Sequence, residues 1–183
     1  MDELNIREEP PRLRTIIVRG VPRRLMFPWT VSVVVSEKAQ FKNLYVYSRP
    51  TPMLSVDDTL YRFPLCHESN DSREMAGSHV YRDGRVCMGN TLSQGGDPLS
   101  AFWNSGFHEC LPNTGILMWE RLSAVAPEEV VSLPMWPVGV MSDFFRAYPG
   151  ASIKTSPWDT NARMEMRREE GRRIARLAWG GAS

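Results

Sequence analysis

Apolar and polar residues alternate along the first third of the chain. Trp29, Val31, Val33 and Val35 fall on one side of an extended segment and Thr30, Ser32 and Ser36 on the other, which predicts a strand over 29–36 with one buried face. An earlier strand is predicted from Leu13 to Arg19, centred on Ile16, Ile17 and Val18, and a later one from Phe41 to Ser48 through Leu44, Tyr45, Val46 and Tyr47. A short fourth strand spans Thr59 to Leu65 and stops near Pro64. Residues 1–12 are polar and closed by Pro10 and Pro11, and they read as a short lead-in that is a poor helix. Gly20, Pro22 and Pro28 punctuate the link after the first strand, and Glu37 to Gln40 is a polar turn. Arg49-Pro50-Thr51-Pro52 breaks the chain again. Connections this short favour an antiparallel meander over parallel βαβ units.

Helical signals come later. Asp97-Pro98 sets an N-cap followed by proline at the first helical position. Leu99, Phe102, Trp103 and Phe107 then share one face, until Pro112. Pro127-Glu128-Glu129 opens a short helix with acid in its first turn, and Ser142 to Tyr148 offers another. Ser156-Pro157-Trp158-Asp159 opens a last helix that runs to about Trp179 and stops at Gly180-Gly181, with Glu169 and Arg173 paired along it. Strands first and helices after predict an α+β domain with segregated layers. The expected organisation is a lead-in at 1–12, a domain at 13–150 and a C-terminal helical extension at 151–183.

Composition narrows the class. A chain of 183 residues, 42% hydrophobic and with 18 aromatic residues, can bury a core without disulfide staples and is not a disordered chain. A net charge of +1 does not suit a protein that coats nucleic acid. The longest apolar run, Val130 to Met141, is broken by Pro134, Pro137 and Gly139, so no transmembrane helix is expected. The Met-Asp-Glu-Leu-Asn start carries no apolar signal segment, and three cysteines fit a reducing, cytoplasmic compartment. Only Lys38, Lys42 and Lys154 are lysines, the rest of the 22 positive charges being arginines. Guanidinium forks suit phosphate or carboxylate recognition, although their spread along the chain equally fits a genomic codon bias.

Every cysteine and histidine lies between positions 66 and 110: Cys66, His67, His79, Cys87, His108 and Cys110. The residue types suit zinc, but the spacing supplies neither a Cys-x-x-Cys knuckle nor a His-x-x-x-His helix face. No metal ligand and no cofactor are therefore assigned. Cys87 is the candidate nucleophile. It follows a tight Arg82-Asp83-Gly84 turn and precedes Gly89-Asn90, and Arg82 and Arg85 are near in sequence, where they would favour a thiolate. The alternative is a plain hairpin with a small buried cysteine.

The segment from 77 to 90 resembles the active-site signature of ubiquitin-conjugating enzymes. Val80, Gly84, Val86 and Cys87 fall on that signature's aliphatic, glycine, aliphatic and acceptor-cysteine positions, and Tyr61-Arg62-Phe63-Pro64 is similar to the family's Tyr-Pro-Phe-x-Pro-Pro element upstream. Asp97-Pro98 opens a helix where the family has one. Gly84-Arg85-Val86-Cys87-Met88-Gly89-Asn90, followed by Phe102-Trp103-Asn104-Ser105-Gly106-Phe107, is similar to a prokaryotic branch, the B proteins of the ParB-related, ThiF-related cassette. The resemblance covers roughly residues 13–112. It implies a ubiquitin-conjugating-like fold, a four-stranded antiparallel meander with helices packed on one side. It also implies a carrier that takes a ubiquitin-like protein as a thioester on Cys87 from a ThiF-type activating enzyme and passes it to an amine or a thiol, in a bacterial cassette that can include a JAB-type protease. No nucleic acid or membrane is among the implied partners.

The same resemblance sets the roles of neighbouring residues. The family's His-Pro-Asn falls on Gly77, Ser78 and His79, so His79 stands where the family's asparagine steadies the oxyanion, and an imidazole N–H can donate in its place. Asn90 is a second candidate donor. Asp83 is placed to orient or deprotonate the incoming amine, or else it simply forms the turn. The family's N-terminal helix has little room in 1–12. The alternatives are a non-catalytic adaptor of the same fold and a small zinc-stapled scaffold. Phe102, Trp103 and Phe107 are expected in the core, and Trp136 with Pro134 and Pro137 is expected to pack across it. The arginines of the last helix, from Arg163 to Arg176, form either a solvated face or a surface for an acidic partner.

Overall fold

The computed structural model describes residues 1–66, 80–87, 96–107, 113–131 and 135–155. Its architecture grows from the pairing of the two longest apolar strands. Strands β4 (Trp29–Glu37) and β5 (Gln40–Arg49) form an antiparallel hairpin in which Val33 faces Tyr45 and Val34 faces Leu44. Lys38 and Ala39 make its two-residue loop, with φ of 50° and 64°. Two successive positive φ values give the backbone twist that matches two antiparallel strands, and the loop adopts it without the usual Asn-Gly.

Strand β1 (Asp2–Glu9) pairs antiparallel with the other side of β4, Asp2 opposite Glu37 and Glu9 opposite Thr30. The predicted lead-in is therefore a sheet strand. Five of its eight residues are charged, which hides the period-2 pair Leu4 and Ile6, both fully buried. Strand β6 (Thr59–Arg62) pairs with β5, β8 (Pro137–Val140) with β6, and β9 (Ser152–Thr155) runs parallel to β1. The six-stranded order is β8-β6-β5-β4-β1-β9. Its centre, β1-β4-β5-β6, is an antiparallel run of four in chain order, with extra strands on each edge.

The second sheet is inserted after β1. Strands β2 (Arg12–Val18) and β3 (Val21–Phe27) form a hairpin through Arg19 and Gly20, both at positive φ, and β7 (Gly106–Phe107) runs parallel to β2. The segment read as a link after Gly20 is thus strand β3. Pro22 is accommodated near its start, and Leu25 and Phe27 face inward.

The helices are α1 (Pro98–Asn104), α2 (Asn113–Val125), α3 (Pro127–Val131) and α4 (Ser142–Ala147). They are not confined to one side. Residues of α1, α2 and α3 join Val34, Leu44 and Val46 in one core, whereas Phe144 of α4 joins Val31, Val33, Val35 and Tyr47 in the other. Strand β4 is accordingly buried on both faces, where the alternation predicted one. Its second face buries Thr30 and Ser32, which the alternation read as the polar side, together with Val34. The last helix predicted from Ser156 lies outside the described residues.

Asp97 caps α1 as its position predicts, accepting from the Ser100 backbone N–H at 3.1 Å and from Arg7 at 2.8 Å. Burial alone would raise the Asp97 carboxyl. The Ser100 and Arg7 hydrogen bonds outweigh it and hold the group below the usual carboxylate range. The first core is aromatic. Phe27 stacks on Phe63 at 5.8 Å and meets Trp103 and Trp119 edge-on at 5.2 Å each. Trp136, by contrast, is 72% exposed and does not cross either core.

Helix α2 has a structural duty beyond packing. It lies along the free edge of β3, where Ser123 Oγ accepts from the Met26 N–H at 2.8 Å and Glu120 from the Arg24 N–H at 3.2 Å. Trp119 Nε1 donates to the Met26 carbonyl at 2.9 Å. Three side chains thus satisfy an edge that would otherwise invite pairing with another chain.

Two substitutions rank these terms. Phe27→Ala empties the centre of the aromatic cluster and is expected to cost about 3–5 kcal/mol. Ser123→Ala strands one buried N–H and is expected to cost about 1–2 kcal/mol. Urea denaturation followed by tryptophan fluorescence measures both, and the reverse ranking would contradict this account of the core.

Candidate functional site

The candidate nucleophile sits at the end of a small hairpin docked on the main sheet. Val80 bridges Val86, the Tyr81 N–H donates to the Arg85 carbonyl at 2.8 Å, and the Gly84 N–H donates to the Tyr81 carbonyl at 3.0 Å. Asp83 Oδ1 accepts from the Arg85 N–H at 3.0 Å. This is a three-residue loop with glycine in the left-handed position, φ +88°.

The hairpin is held against β5 beside β6. The Val46 N–H donates to the Gly84 carbonyl and the Val86 N–H to the Leu44 carbonyl, each at 2.8 Å. Tyr47 Oη donates to the Asp83 carbonyl at 2.9 Å. A Cβ on Gly84 would lie 2.3 Å from the Tyr47 ring, so glycine is required here for space as well as for φ. Val80 and Val86 point into the first core. Strand alternation then turns the next residue outward, and Cys87 is exposed as a free thiol, whereas Cys66 is buried.

The structure distributes the neighbouring candidates unevenly. Asp83 is a turn former: its Oδ1 and its carbonyl are both committed to the hairpin. Arg85 lies over the Tyr81 ring with its guanidinium carbon 4.4 Å from the centroid. Arg82 is exposed. His79 and Asn90, the two oxyanion-donor candidates, lie outside the described residues, as do His67, His108 and Cys110. Among the described residues no group of three His, Cys, Asp or Glu side chains is placed to hold a metal ion.

Two cavities flank Asp83, which lines both together with Val138. One, of about 290 Å³, also has Arg62, Arg82, Trp136 and Pro137 in its wall. The Arg62 Nε is buried and has no hydrogen-bond partner among the described residues. The other, of about 240 Å³, is aromatic, with Tyr45, Tyr47, Phe144 and Tyr148 around it and Asp143 beside Asp83. Tyr45 and Tyr148 hydroxyls meet at 3.3 Å. Burial pushes the Tyr45 and Tyr47 phenols well above their ordinary range. The hydrogen-bonded Tyr148 adds to this at Tyr45, and the Asp83 charge adds to it at both.

Sequence reasoning missed this aromatic wall. Tyr45 and Tyr47 are two apart on one strand, and Phe144 of α4 lies four residues before Tyr148, which caps that helix, but nothing in the sequence joins the two pairs. No protein-family model matches the chain, and no curated protein or solved structure matches it.

Gly84→Val forces both the φ strain and the clash with Tyr47, for an expected loss of about 2–4 kcal/mol and greater mobility at Cys87. Chemical denaturation and amide exchange at Val46 and Val86 measure it. For the phenols the sign is fixed by the raised folded values. The stability they contribute is complete below pH 10.0, the ordinary tyrosine value, and is lost as pH rises beyond it. Absorbance at the tyrosinate band should show two of the tyrosines ionising only with alkaline unfolding, and free titration of all five at the ordinary value would refute their burial.

Proposed function

We propose that the chain is an acyl carrier of the ubiquitin-conjugating type, receiving the C-terminus of a ubiquitin-like protein on Cys87 from a ThiF-type activating enzyme. The observation that carries this reading is the exposed Cys87 thiol at the end of a hairpin anchored by backbone hydrogen bonds to β5. A nucleophile on a fixed frame meets a large acylated partner without first ordering a loop. The β1-β4-β5-β6 run is compatible with the meander of that fold, and the β2–β3 hairpin would be an insertion in it.

In this reading the Cys87 thiolate attacks the thioester carbonyl on the activating enzyme, and that enzyme's thiolate departs. An amine or a second thiol then attacks the new thioester, and the Cys87 thiolate leaves in turn. A thiol suits both halves because its thiolate is a strong nucleophile and a good leaving group. His79 and Asn90 are the residues assigned to the oxyanion. Asp83 keeps one carboxylate oxygen outside the turn, available to orient or deprotonate the incoming amine. The same reading places the protein in the cytoplasm, where thiols stay reduced. No described helix is long and apolar enough to cross a membrane.

A peptide glycyl thioester tests the chemistry without the natural partner. The native protein should take up its acyl group on Cys87 at least ~10-fold faster than a free peptide of residues 80–90, and dithiothreitol should remove it. Cys87→Ser should accumulate a thiol-resistant oxyester, and Cys87→Ala no adduct. Acylation no faster than in the peptide would leave a non-catalytic adaptor of the same fold.

A further inference from the structure

We infer that the aromatic cavity beside the hairpin is a binding site for a methylated ammonium group. The inference does not depend on Cys87.

The walls carry the argument. Phe144 meets Tyr45 at 5.0 Å and 77° and Tyr47 at 6.0 Å and 74°, so its ring stands steeply to both tyrosine rings, and all three line the space. The Tyr45–Tyr148 hydroxyl contact brings a fourth ring to its rim. Ring faces carry the negative part of the aromatic quadrupole, and a box of them attracts a cation that is poorly hydrated. The volume of about 240 Å³ exceeds what one such head group occupies.

Charge points the same way. The described residues lining the cavity include Asp83 and Asp143 and no Lys, Arg or His. Both carboxylates lie near enough to the Tyr47 phenol to oppose its ionisation. Asp143 is partly neutralised, since it pairs with Arg146 and accepts from the Val140 N–H at 3.0 Å. Arg85, the cation felt at Tyr45, is stacked on Tyr81. Asp83 spends only Oδ1, on the Arg85 N–H, and its second oxygen remains to balance a guest charge.

Hydrogen-bonding capacity selects among ammonium ions. A primary ammonium brings three donors that must be satisfied on burial. Tyr47 gives its proton to the Asp83 carbonyl and the Tyr45 and Tyr148 hydroxyls share one bond, so the phenols offer such a guest only their remaining lone pairs, which are weak acceptors. A methylated nitrogen brings few donors or none, and its methyl groups suit the remaining wall of Leu60, Val138, Val140 and Ala147.

Choline and tetramethylammonium are the probes, with 3,3-dimethylbutan-1-ol as the uncharged isostere of choline. Ligand-observed NMR on the full chain should show saturable binding of both cations, with the isostere at least ~10-fold weaker. Tyr148→Ala and Asp83→Asn should each weaken choline by roughly 3–10-fold, the asparagine retaining the turn through its own carbonyl oxygen. Tyr148→Phe should keep most of the affinity because it keeps the ring, and Trp136→Ala should change nothing. A peptide bearing trimethyllysine, run beside free choline, separates a side-chain guest from a small-molecule one by which binds tighter. Equal binding of the isostere, no binding of either cation, or indifference to Tyr148→Ala in a folded protein would overturn the inference. Because the readout involves no thiol, Cys87→Ala protein gives the same answer, and failure here is distinct from failure of acyl transfer.

Discussion

Strands β4 and β5 are buried on both faces, and the remainder of the fold supplies the two covers they need. One face presents Val31, Val33, Val35, Tyr45 and Tyr47, extended by Leu4 and Ile6 of the neighbouring strand and closed by Phe144 of α4. The other presents Val34, Leu44 and Val46, closed by the inserted three-stranded sheet and by the first three helices. Small polar residues share that second face. Ser32 and Ser48 bury their hydroxyl oxygens without a hydrogen-bond partner among the described residues, a local cost accepted where the layers meet. A strand with one solvated face would have needed only one cover, and neither the β2–β3 insertion nor its helical seal would have a place.

The candidate site follows from how β5 is shared. Strand β6 pairs with β5 only at Tyr47 and Ser48, which leaves the backbone groups of residues 44 and 46 to be satisfied by other means. The hairpin of residues 80–86 satisfies them, locked by Gly84 against Tyr47. The thiol and the aromatic cavity therefore share one support: Tyr47 braces the hairpin that ends at Cys87 and forms part of the cavity wall. Asp83 lies between them, its backbone in the brace and its side chain facing the cavities.

Legibility in the sequence tracked how local each signal was. The strands at 12–18, 29–37 and 40–49, the Asp97 cap and the short helices at 127 and 142 depend on neighbouring residues and were readable. Strand β1 was not, because five of its eight residues are charged while only Leu4 and Ile6 declare the pattern. Strand β3 was obscured by Pro22. Helix α2 was obscured because Leu117 and Met118 are exposed beside the inward Ile116 and Trp119, which blurs any apolar stripe. At the site, the Arg82-Asp83-Gly84 turn and an outward Cys87 follow from short-range preferences. The cavity does not, since Tyr45 and Tyr148 are 103 residues apart and only the completed sheet brings them together.

The parallel pairing of β9 with β1 bears on how the chain reaches this fold. Leu4 and Ile153 are partners, so the outer edge of β1 is closed by a strand made some 150 residues later. During synthesis β1 can pair with β4 early, but its far edge stays open until residues 152–155 have emerged. The charges of β1 acquire a second meaning in that interval. Glu3, Arg7, Glu8 and Glu9 make the waiting edge a poor template for another nascent chain, and Lys154 later pairs with Glu3 at 2.8 Å as the edge is closed. The polar character that disguised this strand is thus a safeguard on the order in which the sheet is assembled.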